Sequence, residues 1–313
     1  MNTTVTPDLS VDLAPHNRHG LVLANPVIGA SGTVGYGIEL NQAIDLQRLG
    51  AIVCKGVTRY PRDGNLQPRL GETIAGLLNT IGLQNIGAEA IVRDEAPIWA
   101  TWNVKVLANI SGDTVQEFGE IAAIMDGVDG ISGIEVNIGC PNVEKGGLEF
   151  GTDPEAAAAV TEQVKSATSL PVMVKLTPNV TDIVEVARAV VGAGADSISL
   201  VNTFVGMTVD VAKRRPTLST ITGGLSGPAI KPIALAMVYK VAGAIDVPII
   251  GLGGISSAKD ALEFIMAGAS AVQVGTANFL NPRACLDILD GILEYMAEQG
   301  TAIFSDLVGV ARA

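Results

Sequence analysis

The stretch EVNIGCPNVEKGG, residues 135–147, holds the densest set of groups able to do chemistry. An apolar run ends in Asn137, Cys140 and Asn142 flank Pro141, and Gly146 and Gly147 close the segment. A thiol near cationic side chains has a lowered pKa and can take a proton. A loop carrying Gly139, Pro141, Gly146 and Gly147 can close over a ligand. The only histidines, His16 and His19, precede the first core strand, so proton chemistry falls to Cys, Lys, an acid or Tyr. Cys54 and Cys285 lack such a setting and are read as small buried hydrophobes.

Other polar residues end apolar runs in the same way. Lys55 follows Ala-Ile-Val-Cys, and Lys175 follows Val-Met-Val. An ammonium there is placed to meet a negative charge, such as the N1–C2=O edge of a reduced flavin or a substrate carboxylate. Asn79, Asn109, Asn137, Asn142 and Asn202 can donate and accept, as the alternating C=O and N–H edge of a pyrimidine requires. For Asn85 a turn role stands beside a ligand role. Gly253-Gly254 and Gly275-Thr276 leave bare backbone ahead of helices, where N–H groups can reach a phosphate.

These groups must be held by regular elements. Eight short runs, apolar on both faces, are predicted as strands at 27–30, 51–55, 104–109, 133–137, 172–176, 197–202, 248–251 and 271–275. Helical patterns alternate with them at about 38–48, 87–95, 114–126, 154–168, 180–193, 229–244, 257–267 and 282–298. Asp153-Pro154 and Ser257 read as helix starts, and Gly192, Gly194 and Gly268 as left-handed stops. Alternation of this kind predicts an α/β fold, a (β/α)₈ TIM barrel, as one domain over residues 1–313. VDLAPHNRHGLVL (11–23) is expected to form a hairpin capping the bottom. Connections after strand 2 (56–84), strand 4 and strand 6 (203–227) are expected as long loops at the top, the functional end.

The 313 residues, 48% hydrophobic, suffice for a large core. A net charge of −12 disfavours nucleic-acid binding. No apolar stretch approaches the roughly 20 residues of a membrane span. The N-terminus lacks a secretion-signal pattern, and a cytoplasmic location is expected. Three cysteines far apart, with no Cys/His cluster, argue against a disulfide framework, a zinc site or an iron–sulfur cluster in this chain.

ASGTVGYG (30–37), NTIGLQN (79–85), NIGCPNVEKGG (137–147), VKLTPNVTDI (174–183), VNTFVGM (201–207), TGGLSGPAIKP (222–232) and GLGGISSAKDALEFIMAGASAVQVGTANF (251–279) together resemble the dihydroorotate dehydrogenases, most closely the type 1B catalytic subunits. The resemblance covers about residues 20–300. It implies an FMN-containing barrel that oxidises (S)-dihydroorotate to orotate in pyrimidine biosynthesis. Cys140 would take the C5 proton while hydride leaves C6. It also implies a homodimeric core in a heterotetramer, with a second subunit carrying FAD and a [2Fe–2S] cluster that passes electrons to NAD⁺. FMN would meet Ser31, Lys55, Gly56, Asn109, Asn137, Lys175, Val201, Gly227, Gly253, Gly254, Gly275 and Thr276. The substrate would meet Lys55, Asn79, Thr80, Ile81, Gly82, Leu83, Asn137, Asn142, Asn202 and Thr203. Gly139 stands where the family often has Ser, and residues 1–10 exceed the usual start. Rival readings are a fumarate-using type 1A enzyme, a related flavin barrel acting on another reduced pyrimidine, and a silent scaffold without flavin.

Overall fold

The computed structural model describes residues 7–139 and 150–312. Its centre is a closed barrel of eight strands: β1 (Val27–Gly29), β2 (Ala51–Val53), β3 (Lys105–Ile110), β4 (Gly133–Asn137), β5 (Val172–Leu176), β6 (Ser197–Leu200), β7 (Ile249–Leu252) and β8 (Ala271–Val274). Each strand pairs in parallel with its sequence neighbour, and β8 returns to β1. The strands are buried along nearly their whole length because side chains on one face fill the barrel and those on the other meet helices.

The helices form where an apolar stripe and a cap coincide. In Val115–Met125 the buried residues Phe118, Ile121, Ala122 and Met125 lie on one face, and the Thr114 side chain accepts from the Glu117 N–H at 3.1 Å. Truncating Phe118 would cost about 3–5 kcal/mol. Asp153 caps Pro154–Ala167 by accepting from the N–H groups of Glu155 and Ala156, and Ser257 caps Ala258–Met266. Gly194 and Gly268 have φ of +97° and +119°, as expected of stops, whereas Gly192 is the last residue of helix Ile183–Gly192 and is not left-handed. The run expected at 87–95 extends to Trp99 through a wider turn over Ile91–Glu95. Pro97 lacks an N–H and its ring crowds the preceding turn, and the wider turn accommodates it.

At the bottom, Val11–Asp12 pairs antiparallel with Val22–Leu23, and Leu13 and Leu23 are fully buried. Asn17 donates to Asp196, just before β6, at 3.2 Å. The hairpin therefore closes the barrel floor as expected. The top corrects the sequence reading. The connections after β2 and β6 are not merely loops, because their strands Leu70–Thr73, Gly76–Asn79, Phe204–Gly206 and Gly223–Ser226 form one four-stranded antiparallel sheet. Their short runs are rich in glycine and weak in alternation, so pairing between two distant connections left little local signal. The connection after β4 lies largely outside the described residues. Among the described residues, no helix is long and apolar enough to cross a membrane.

Candidate active site

The C-terminal ends of the eight strands meet at the top of the barrel, as the fold requires. The deepest polar layer lies inside the strands. Glu135 of β4 is fully buried and central to it. Its Oε1 accepts from Asn109 Nδ2 at 3.0 Å and from Lys175 Nζ at 3.5 Å. Its Oε2 accepts from Gln273 Nε2 at 2.9 Å and from Ser199 Oγ at 3.3 Å. Lys175 also donates to Ser31 Oγ at 3.2 Å. Ser31, Asn109 and Lys175, expected from sequence, thus belong to one network. Glu135, Ser199 and Gln273 were not expected. Each lies within an apolar-looking strand, two residues before Asn137, Val201 or Gly275, and strict inward alternation from those residues would have pointed to them.

Above this layer lies an amide pair. Asn202 donates to Asn137 Oδ1, while the N–H of Thr203 donates to Asn202 Oδ1. Val201 is buried and donates its N–H to Leu252 of β7 at 2.9 Å; the Leu200–Val201 peptide is cis. Lys55 lies just past β2, its main-chain N–H on the Gly35 carbonyl. Burial lowers the Lys55 pKa, and the charge of Arg69 lowers it further. An anion at the rim would offset both effects. Gly56 adjoins Asn109 and Leu83: an added Cβ would lie 3.0 Å from Asn109 Oδ1.

The glycine sites gather on the β7–β8 side. A Cβ on Gly254 would fall 2.7 Å from the Gly227 carbonyl oxygen, and one on Gly253 2.7 Å from Ala234. Thr276 donates to Ser226 Oγ at 2.8 Å, which ties β8 to the top sheet. The N–H groups of Gly254, Gly275 and Thr276 have no acceptor among the described residues. Nearby Lys231 is already held by Asp260 and Glu263. The cradle therefore offers backbone donors beside helix starts, a donor set that fits a phosphate.

The 79–83 segment is only partly turned to the rim. Asn79 donates to the Gly224 carbonyl at 3.2 Å, inside the top sheet. The Thr80 hydroxyl accepts from Asn65 and Thr220, and the Ile81 carbonyl accepts from the Asn65 N–H. Gly82 and Leu83 both take positive φ, and the Leu83 side chain lies beside Gly56. Asn85 is buried and structural: it bonds Thr58, Gly87 and the Leu83 carbonyl. Cys54 and Cys285 are fully buried, and burial pushes both thiols up to about 12. Cys140 and Asn142 lie outside the described residues.

A cleft of about 560 Å³ opens at the opposite, bottom end, lined by His16, Arg18, Asp126 and Lys165 among others. Lys165 there pairs with Asp196 at 2.8 Å, and Asp126 accepts from Thr168 and Ser169. The cleft contains none of the strand-end groups.

An eight-stranded parallel barrel with polar groups at the strand ends and a backbone anion cradle beside β7 and β8 defines a class of barrel enzyme. The family model for dihydroorotate dehydrogenase matches residues 14–296, and the chain belongs to this family of oxidoreductases. It is 52% identical over 306 residues to a protein of Geotalea daltonii named dihydroorotate dehydrogenase B (NAD(+)), catalytic subunit, covering 98% of this chain and 99% of that one. Proteins of the same name from Desulforamulus reducens and Geobacter sulfurreducens are 55% and 50% identical, covering 93% and 97% of this chain and 96% and 98% of theirs.

Proposed function

We propose that this chain oxidises (S)-dihydroorotate to orotate in de novo pyrimidine biosynthesis, as the FMN-binding catalytic subunit of an NAD⁺-linked enzyme. The observation that carries this reading is the near-full-length likeness to proteins named for that activity. The site supplies a matching set of groups. The Gly227, Gly254, Gly275 and Thr276 cradle would hold the FMN phosphate, and Val201 and Gly253 would line the same side. Ser31, Gly56, Asn109 and Lys175 would face the ring system, with Lys175 as the fixed cation. Bound FMN would supply the acceptor for a hydride from substrate C6.

The remaining steps belong to the protein. Lys55 would neutralise the substrate carboxylate. Asn137, Asn142, Asn202 and Thr203 would align the ring amides, and the 79–83 segment would wall the site. Cys140, as thiolate, would take the C5 proton. Loss of the C5 proton and the C6 hydride leaves the C5=C6 double bond, and two electrons depart. These would pass through a partner subunit carrying FAD and [2Fe–2S] to NAD⁺. A homodimeric core and a cytoplasmic location complete the reading.

The test is anaerobic. The purified chain should be yellow and should bleach on addition of dihydroorotate. A yellow protein left unbleached would redirect the search to other reduced pyrimidines. A colourless protein that FMN does not reconstitute would overturn the flavin reading.

A further inference from the structure

The fully buried carboxylate of Glu135 calls for an explanation that stability does not provide. Desolvating a carboxylate and an ammonium is costly, and well-packed apolar replacements of such pairs are often neutral or stabilising. Yet four strands converge on this group. β3 contributes Asn109, β5 Lys175, β6 Ser199 and β8 Gln273, two donors to each oxygen. That matches the acceptor capacity of a carboxylate, which has no N–H to return. Gln273 turns its amide nitrogen to Glu135 and leaves its own buried Oε1 without a partner. The reverse orientation would set two acceptors face to face, so the carboxylate dictates how Gln273 sits.

Among the described residues, Lys175 is the one cation in this layer. Its Nζ lies 3.5 Å from Glu135 Oε1 and 3.2 Å from Ser31 Oγ, and its side chain is 6% exposed. An ammonium has three donors, and these partners account for two. Ser31 stands past the end of β1, towards the rim, and the third donor has no partner among the described residues.

We propose that Glu135 acts through Lys175, offsetting part of the charge that the ammonium presents to the bound flavin and thereby setting the flavin's reduction potential; this rests on the FMN reading above. Little salt reaches a pair this deep, so its field acts almost unscreened. Removing the carboxylate charge while keeping the amide shape leaves Lys175 as an uncompensated cation. Such a cation favours the more negative, reduced form of the ligand.

The test is the two-electron midpoint potential of the FMN-loaded chain, measured by anaerobic dye equilibration. Glu135→Gln should move the potential positive, with reduced FMN held about tenfold more tightly relative to oxidised FMN, which is ~30 mV for a two-electron couple. An unchanged or more negative potential would overturn the proposal. If Glu135→Gln does not fold, the comparison is Lys175→Gln against Glu135→Gln/Lys175→Gln, in which the buried charges are removed together. Lys175→Gln should lower the potential, and the double variant should bring it back towards wild type. Equal potentials in those two variants would reduce Glu135 to a packing residue. A wild-type chain that takes up no FMN fails the flavin reading itself, an outcome separate from flavin uptake with an unmoved potential.

Discussion

Asn202, just past β6, donates from Nδ2 to Oδ1 of Asn137 at the end of β4, across 3.1 Å. The Oδ1 of Asn202 is itself held by the Thr203 N–H at 2.8 Å. Together these bonds take one acceptor site on each amide oxygen and leave amide N–H groups that could meet the carbonyl edge of a dihydropyrimidine. Asn137→Ala removes one donor and leaves Asn202 without its acceptor. A deficit of about 1–3 kcal/mol is expected, a roughly tenfold to hundredfold fall in kcat/KM for dihydroorotate. Steady-state kinetics would show it, and unchanged kcat/KM would remove the pair from the substrate site.

The thiols should separate by reactivity. Alkylation needs the thiolate, and burial pushes Cys54 and Cys285 up to about 12, so both stay protonated at pH 8. Iodoacetamide on the native protein should label Cys140 alone, as read by peptide mass spectrometry. Equal labelling of Cys54 would contradict its burial.

Cys140→Ala should bind FMN yet lose activity. General-base catalysis contributes about 10²–10⁴-fold, and stopped-flow bleaching by dihydroorotate should slow by that order. Bleaching at the wild-type rate would rule out Cys140 as the base.

Gly254 has φ of +76°, and a Cβ there would press on the Gly227 carbonyl oxygen and on Lys231. Backbone strain alone costs a non-glycine residue about 1–2 kcal/mol. Gly254→Ala should lower the melting temperature and reduce FMN content after gel filtration. Full retention of FMN would move the phosphate elsewhere.

Acid stability should depend on Asp260. Burial raises its pKa, but hydrogen bonds from Lys231, Ser256 and Ser257 outweigh this and bring it down to about 2. A depressed carboxyl stabilises the fold above its unfolded value and loses that contribution as pH falls through the folded value. The contribution is therefore complete above about pH 4 and lost between pH 4 and about 2. In thermal melts from pH 2 to 7, Asp260→Asn should be less stable than wild type near neutrality and converge with it at the acid end.

The barrel was legible because its strands are continuous apolar runs and its helices carry caps such as Asp153 and Ser257. Strand ends could be read because Lys55, Asn137 and Asn202 interrupt those runs at one level. Glu135 escaped notice because one carboxylate between Ile134 and Val136 looks like a solvated position until alternation turns it inward. The top sheet was illegible for a different reason. Gly223–Ser226 pairs with Gly76–Asn79 across more than a hundred residues, and glycine-rich segments specify such pairing weakly in isolation.

That sheet has a bearing on attempts to change what the enzyme accepts. Gly224 faces Asn79 in the pairing, and a Cβ on it would fall 2.1 Å from the Thr203 hydroxyl, while Thr276 is bonded to Ser226. The two connections form one structural unit. A chimera that imports only the segment after β2 would bring a strand with no matching neighbour, so exchange of ring specificity between barrels of this kind must transplant both connections together.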